Sequence, residues 1–143
     1  MSSPPVASTD HWLRTWQAAG LGLAAAIGHI AGTAPLSHGA AVLVVAIEVT
    51  TIYAIYLGFA LADGGASALR IEGLFVAVGL ALVGLGLWRE PAYLALACGL
   101  HGVWDLLHHR DHHVLGVRGV PVWYIPMCAA FDFPVAIAVF VAL

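Results

Sequence analysis

Four ionisable side chains lie within apolar stretches of the sequence: His29, Glu48, His101 and Asp132. A rise of 1.5 Å per helical residue, counted from the ends of each stretch, places all four about 16–19 Å from one edge of a membrane. Ionisable groups inside a membrane are costly and usually mark function. We therefore predict that these side chains, which come from four different helices, meet in the interior of a helical bundle.

A second polar row extends from His101 toward the same edge. His101, Asp105 and either His108 or His109 follow one another at spacings of three and four, so a helix presents them on one face. Glu72 lies near the start of the preceding apolar stretch, at the same end. The fourth stretch is therefore expected to carry an imidazole, a carboxylate and a second imidazole in sequence along its length.

Neutral imidazole and carboxylate together suit a divalent first-row metal such as Zn or Fe. Asp105 either binds the metal or orients a histidine that does. A metal in a dry site acidifies water or polarises a carbonyl, and Glu48 or Asp132 is then the expected catalytic proton acceptor. The predicted metal ligands are His29, Glu48, His101, Asp105, His108 and Asp132.

The same residues allow two other interpretations. They could be hydrogen-bonding pairs, His29 with Glu48 and His101 with Asp132, that hold helices together, or they could form a path for protons or ions. Pro134 follows Asp132 and cannot donate to the carbonyl of Ala130, and free carbonyls near mid-membrane are a feature of transporter sites. This local pattern is compatible with both the metal site and the transport path.

The composition indicates an integral membrane protein. Hydrophobic residues make up 62% of the 143 residues and charged residues 9%, whereas soluble domains have roughly 45–50% and about 25%. Five apolar stretches, at about 13–34, 40–62, 71–89, 92–109 and 121–143, each approach the ~20 residues that cross a bilayer. We predict an all-α bundle of five transmembrane helices at 13–143, preceded by a polar tail at 1–12.

The arginines predict the orientation of this bundle. With the N-terminus inside, Arg14, Arg70, Arg110 and Arg118 lie on the cytoplasmic side and Arg89 lies outside, which fits the positive-inside rule. The sequence has no basic run that could follow nucleic-acid phosphates, so we expect no nucleic-acid partner. The predicted location is a bacterial inner membrane, with the C-terminus outside.

Small residues also recur at helical spacing. One row lies on the first stretch (Gly20, Ala24, Gly28 and Gly32) and another on the third (Gly73, Ala77 and Ala81). Such rows let helices approach closely, and we expect them to pack within the bundle, with a homodimer face as the alternative. Cys98 and Cys128 lie in apolar stretches and are expected to pack as small apolar side chains.

Two resemblances extend this interpretation. HGVWDLLHH at 101–109, followed by VWYIPMCAAFD at 122–132, resembles segments of small bacterial multi-pass membrane proteins, which implies a membrane location but no activity. HRDHH at 109–113 resembles one histidine box of membrane fatty-acid desaturases and hydroxylases. That family carries three such boxes and a di-iron centre, and His11, His29, His38 and His101 of this chain have no HxxxH partner. We therefore expect this segment to be a solvated, His-rich loop.

The sequence thus favours a metal-dependent membrane enzyme that acts by hydrolysis or oxidation on a lipid-soluble small molecule. A small proton- or ion-coupled transporter is the second hypothesis, and a structural subunit of a larger membrane complex is the third. A closed pocket over the polar residues favours the enzyme, whereas a water-lined path to both faces favours the transporter.

Overall fold

A computed structural model describes residues 8–63, 65–108 and 120–143 of the chain. These residues form five helices and no strand: α1 (Ser8–Thr33), α2 (His38–Asp63), α3 (Ala66–Trp88), α4 (Ala92–Leu107) and α5 (Tyr124–Ala142). The predicted all-α class is confirmed. The segment 109–119, with its predicted cytoplasmic arginines and the histidine string, lies outside the described residues.

The helices differ most from the predicted stretches at their starts. α1 begins at Ser8 within the predicted polar tail, and α3 begins at Ala66 rather than at residue 71. The apolar count left Arg70 out of the third stretch, yet Ala, Leu and Arg are all good helix formers, so the helix continues through it. α4 ends at Leu107, which brings His108 to its C-terminal boundary.

Three of the described helices are long and apolar enough to cross a membrane: His38–Ala62 in α2, Ala66–Trp88 in α3 and Tyr124–Ala142 in α5. α4 is apolar but has only 16 residues, which corresponds to about 24 Å. α1 has 26 residues and is less apolar than the other helices. A membrane location follows from these findings, while the five-pass topology and its orientation remain predictions.

α4 and α5 occupy the centre of the bundle. α5 packs between α1 and α4, and α4 also contacts α3 and α2. The contact between α4 and α5 is close at Gly102 of α4, where an added Cβ would lie 3.2 Å from Cβ of Asp132 and 3.1 Å from the Phe133 ring. The short α4 therefore touches three other helices, and its polar face is enclosed by protein.

The small-residue rows do not pack as expected. An added Cβ at Gly20, Gly28 or Gly32 would meet no described atom within 4 Å. α1 instead buries Ala18, Gly22 and Ala26, and a Cβ at Gly22 would collide with the backbone of Met127 in α5. On α1, the uncovered row that contains Gly20 and the buried row that contains Gly22 both have the spacing of four that close packing requires. Spacing alone therefore could not identify which of the two is buried. The homodimer remains a prediction for the row that the described residues leave uncovered.

Candidate functional site

Three buried side chains converge at the contact between α4 and α5. His101 and Asp105 are one turn apart on α4, Asp132 comes from α5, and all three have 0% relative exposure. Nδ1 of His101 lies 2.7 Å from Oδ2 of Asp132 and 3.6 Å from Oδ2 of Asp105. We call these three residues the triad.

The opposite ring nitrogen of His101 fixes the orientation of the imidazole. Nε2 lies 3.2 Å from the backbone oxygen of Ile52 in α2. A carbonyl oxygen only accepts, so Nε2 carries the proton and donates it. The lone pair of neutral His101 is then on Nδ1 and points at the two carboxylates. Metal-binding histidines commonly donate their second ring N–H to a backbone carbonyl in this way.

Donors also hold the other sides of the two carboxylates. The Tyr56 hydroxyl donates to Oδ1 of Asp105 at 2.7 Å. Cys98 donates its thiol hydrogen to the backbone oxygen of Asp132 at 3.3 Å, and its Sγ lies 3.9 Å from Oδ1 of the same residue. Oδ2 of Asp105 is buried without a hydrogen-bond partner among the described residues. The Oδ1 atoms thus face donors, while Nδ1 and both Oδ2 atoms face one another.

This arrangement fits a metal ion. One ring nitrogen and one oxygen from each carboxylate lie within 4.8 Å of one another, and two carboxylates would neutralise a divalent cation. One imidazole with two carboxylates suits Zn, Fe or Mn. In the absence of metal, the 2.7 Å contact between His101 and Asp132 is a hydrogen bond that requires a proton between the two atoms.

His29 and Glu48 form a separate pair between α1 and α2. Nδ1 of His29 lies 3.1 Å from Oε2 of Glu48. The two groups are close but not aligned as a hydrogen bond: Nε2 of His29 and both oxygens of Glu48 are buried without a hydrogen-bond partner in the described part of the chain. Neither residue belongs to the compact group of three that could hold an ion.

His108 pairs with Glu72 at the end of α4. Nε2 of His108 lies 2.9 Å from Oε1 of Glu72, and the Trp104 indole donates to the other carboxylate oxygen at 2.9 Å. Nδ1 of His108 donates to the backbone oxygen of Trp104 at 3.0 Å. Every polar atom of this cluster has a partner, so it joins α3 to α4 and offers no free ligand atom.

Aromatic rings separate the triad from the His108–Glu72 pair. Tyr56 packs on His108 with ring centroids 4.5 Å apart, and its hydroxyl reaches Asp105 on the other side. Trp104 stacks on Phe75 at 4.0 Å, and Tyr53 packs against His101 at 5.2 Å. Tyr56, Phe75 and Trp104 form an aromatic layer that covers the triad toward the C-terminal end of α4, whereas Tyr53 lies beside His101 and reaches toward Ala97.

The predicted residues therefore fall into three groups rather than one. The structure brings His101, Asp105 and Asp132 together, with Asp105 inside the group. It places His29 with Glu48, and His108 with Glu72. The equal depth of the four residues is compatible with the contacts His29–Glu48 and His101–Asp132, but depth does not determine which way each helix face turns.

Sequence reasoning missed the residues that orient the triad. Cys98 donates to Asp132 in addition to packing, and Tyr56 donates to Asp105. Tyr56 did carry a signal, because a tyrosine hydroxyl far from the ends of an apolar stretch needs a buried acceptor. Ile52 carried none, since any residue provides a backbone carbonyl.

No protein-family model matches the chain, and neither the curated proteins nor the solved structures contain a significant match to it.

Proposed function

We propose that the protein is a metal-dependent membrane enzyme whose triad holds one divalent ion. A single observation carries the proposal: Nδ1 of His101 and the Oδ2 atoms of Asp105 and Asp132 converge, while Tyr56 holds Oδ1 of Asp105 and the Ile52 carbonyl holds Nε2 of His101. Helix pairing alone would not require three buried groups to turn toward one point. Asp105 is particularly informative, because its Oδ2 atom has no donor among the described residues.

Three protein ligands leave one position of a tetrahedral ion for water or substrate, which is the pattern of catalytic zinc sites. A metal at this place would lower the pKa of a bound water or polarise a carbonyl. The protein's own contribution is to orient the ligands through Ile52, Tyr56 and Cys98, and to keep bulk water away with the aromatic layer. Glu48, whose two carboxylate oxygens have no hydrogen-bond partner among the described residues, is the proposed proton acceptor.

The proposed substrate is a lipid-soluble small molecule. An apolar groove of about 670 Å³ lies on the surface shared by α4 and α5, and its lining includes Leu96, Leu100, Val103 and Phe140. The same two helices carry the triad, although none of its buried residues lines the groove. A molecule dissolved in the bilayer can lie in this groove without crossing a polar face.

A second candidate function, proton-coupled transport, is favoured by a different observation. Three histidine–carboxylate pairs follow one another through the bundle: His29–Glu48, His101–Asp132 and His108–Glu72. Such a series resembles the relays of pumps and transporters. The aromatic layer interrupts the series between the last two pairs, and the structure therefore fits the metal centre better.

Metal analysis tests the main proposal. Protein purified in nanodiscs, loaded with Zn²⁺ and freed of excess ion should retain one equivalent, and Asp132→Asn should retain less than a tenth. Glu90→Gln is the matched control, because Glu90 is an exposed carboxylate outside the triad, and it should bind like the wild type. Equal retention by the wild type and Asp132→Asn would refute the triad as the metal site.

Two functional assays separate the enzyme from the transporter. Zn²⁺-loaded protein should hydrolyse a lipid-soluble ester probe, p-nitrophenyl octanoate, and Asp132→Asn should not. Proteoliposomes containing the pH dye pyranine should show no proton flux above that of empty vesicles. Metal-independent flux that Asp132→Asn abolishes would replace the enzyme with the transporter.

A further inference from the structure

A cavity of about 270 Å³ lies at the end of the bundle where α1 ends and α2 begins. Its polar lining residues are His29, Thr33 and His38, and the walls include Val45 of α2 and Val135 of α5. The arginine pattern predicts that this is the outer face. We call it the outer cavity, and neither the triad nor the groove on α4 and α5 contributes to its lining.

The deepest polar groups of the outer cavity are incompletely satisfied. His29 lines the cavity and lies against Glu48, yet its Nε2 atom and both Glu48 oxygens have no hydrogen-bond partner within the described ranges. The side chains of His29 and Glu48 are 15% and 17% exposed. Of the two residues only His29 lines the cavity, and the unpaired atoms are themselves buried, so an ion that enters the cavity reaches them through a movement of these side chains.

Helix geometry connects this floor to the triad. Val45 lines the cavity, and Glu48 is three residues further along α2, so it lies about 4.5 Å deeper on nearly the same face. Val135 lines the opposite wall, and Asp132 is three residues deeper along α5 by the same reasoning. The edge of the His29 ring also packs against Phe131, the neighbour of Asp132, with centroids 5.8 Å apart.

Within residues 8–63, 65–108 and 120–143, side chains cover the other end of the triad. The aromatic layer of Tyr56, Phe75 and Trp104 lies there, and the satisfied His108–Glu72 pair lies beyond it. An ion that approaches from that side would meet stacked rings. An ion in the outer cavity would meet the His29 imidazole in the lining, and beside it the Glu48 carboxylate, which lies at about the depth of Asp132.

We propose that the outer cavity is the path by which a divalent metal ion reaches the triad, with His29 and Glu48 as its transit ligands. The inference rests on the proposed metal centre. Two protein ligands, with water completing the coordination, hold an ion more weakly than three buried ones, so the ion passes from this pair to the triad. His29 and Glu48 therefore set the rate of loading, while His101, Asp105 and Asp132 set the affinity.

Loading kinetics test this path. Metal-free protein in nanodiscs is mixed with Zn²⁺ in a stopped-flow instrument, and a zinc-sensitive dye reports both uptake and the final equilibrium. Glu48→Gln should slow uptake at least tenfold and leave the dissociation constant within twofold of the wild type. Glu90→Gln, which changes an exposed carboxylate outside the cavity, should leave both quantities unchanged.

A second variant tests the path without removing a ligand. Ala138 lines the outer cavity, and Ala138→Trp should fill it and slow both uptake and release with unchanged affinity. Wild-type uptake rates in both Glu48→Gln and Ala138→Trp would overturn the path. A tenfold loss of affinity in Glu48→Gln would show that Glu48 is a ligand of the final site. Failure of the wild type itself to bind Zn²⁺ would overturn the metal centre together with the path.

Discussion

Tyr56 and Tyr53 offer a matched comparison between orienting a metal ligand and simply joining two helices. Both tyrosines are on α2, both have 0% relative exposure, and the hydroxyl of each donates one hydrogen bond to α4. Tyr56 donates to Oδ1 of Asp105, whereas Tyr53 donates to the backbone oxygen of Ala97 at 2.9 Å. Only the first bond reaches a triad residue.

Tyr56→Phe should therefore weaken metal binding. Loss of a residue that orients a metal ligand typically costs 10–100-fold in affinity, which corresponds to about 1.4–2.7 kcal/mol. Tyr53→Phe should keep the affinity within about twofold. Each variant should also lose about 0.5–3 kcal/mol of stability, because each removes one buried hydrogen bond.

Zn²⁺ competition with a chelator of known affinity measures the dissociation constants of the two variants in nanodiscs. Thermal unfolding in the same nanodiscs compares their stabilities. The reasoning requires a large affinity ratio between the two variants at similar stability. An equal loss of affinity in both would mean that the hydroxyls act through packing, and an unchanged affinity in Tyr56→Phe would mean that Asp105 is not oriented by it.

Three further predictions concern the bundle. Gly22→Ala should lower the unfolding temperature, since the added Cβ collides with the backbone of Met127, whereas Gly20→Ala meets no described atom and should leave it unchanged or slightly higher; equal effects would place the α1–α5 contact elsewhere. Glu72→Gln should reduce the free energy of unfolding by about 1–3 kcal/mol, because it disrupts the hydrogen bonds from His108 and Trp104. The Zn²⁺ affinity of this variant should stay within twofold of the wild type, because the His108–Glu72 pair lies outside the proposed metal site. A C-terminal alkaline phosphatase fusion should be active, as this enzyme folds only outside the cytoplasm, and activity of a cytoplasmic reporter alone would contradict the predicted orientation.

The sequence predicted the helical class because apolar stretches of membrane-spanning length allow few other structures. It also predicted that α4 presents His101, Asp105 and His108 on one face, since that depends only on helical periodicity. The structure confirms this common face: all three side chains turn into the protein.

The composition of the site depended on helix rotation and packing, which spacing alone does not specify. Residues at one depth can face different neighbours. The structure contains the two pairs of the helix-joining alternative, His29–Glu48 and His101–Asp132, and the compact group that could hold an ion includes neither His29 nor Glu48. Helix rotation also decides which small-residue row of α1 is buried: the row that contains Gly22 packs against α5, and the row that contains Gly20 does not. The bond from His101 to the carbonyl of Ile52 was beyond any residue pattern, because every residue carries the same backbone acceptor.

The most direct test of the central claim is the coordination environment of the bound ion. X-ray absorption at the zinc edge, on Zn²⁺-loaded full-length protein, should show a single imidazole and otherwise oxygen ligands at about 2.0–2.2 Å. This is the signature of His101 with Asp105, Asp132 and a water molecule. A sulfur ligand at about 2.3 Å would instead implicate a cysteine, and two or more imidazoles would implicate the other histidines of the chain. Either result would contradict the triad as the metal centre.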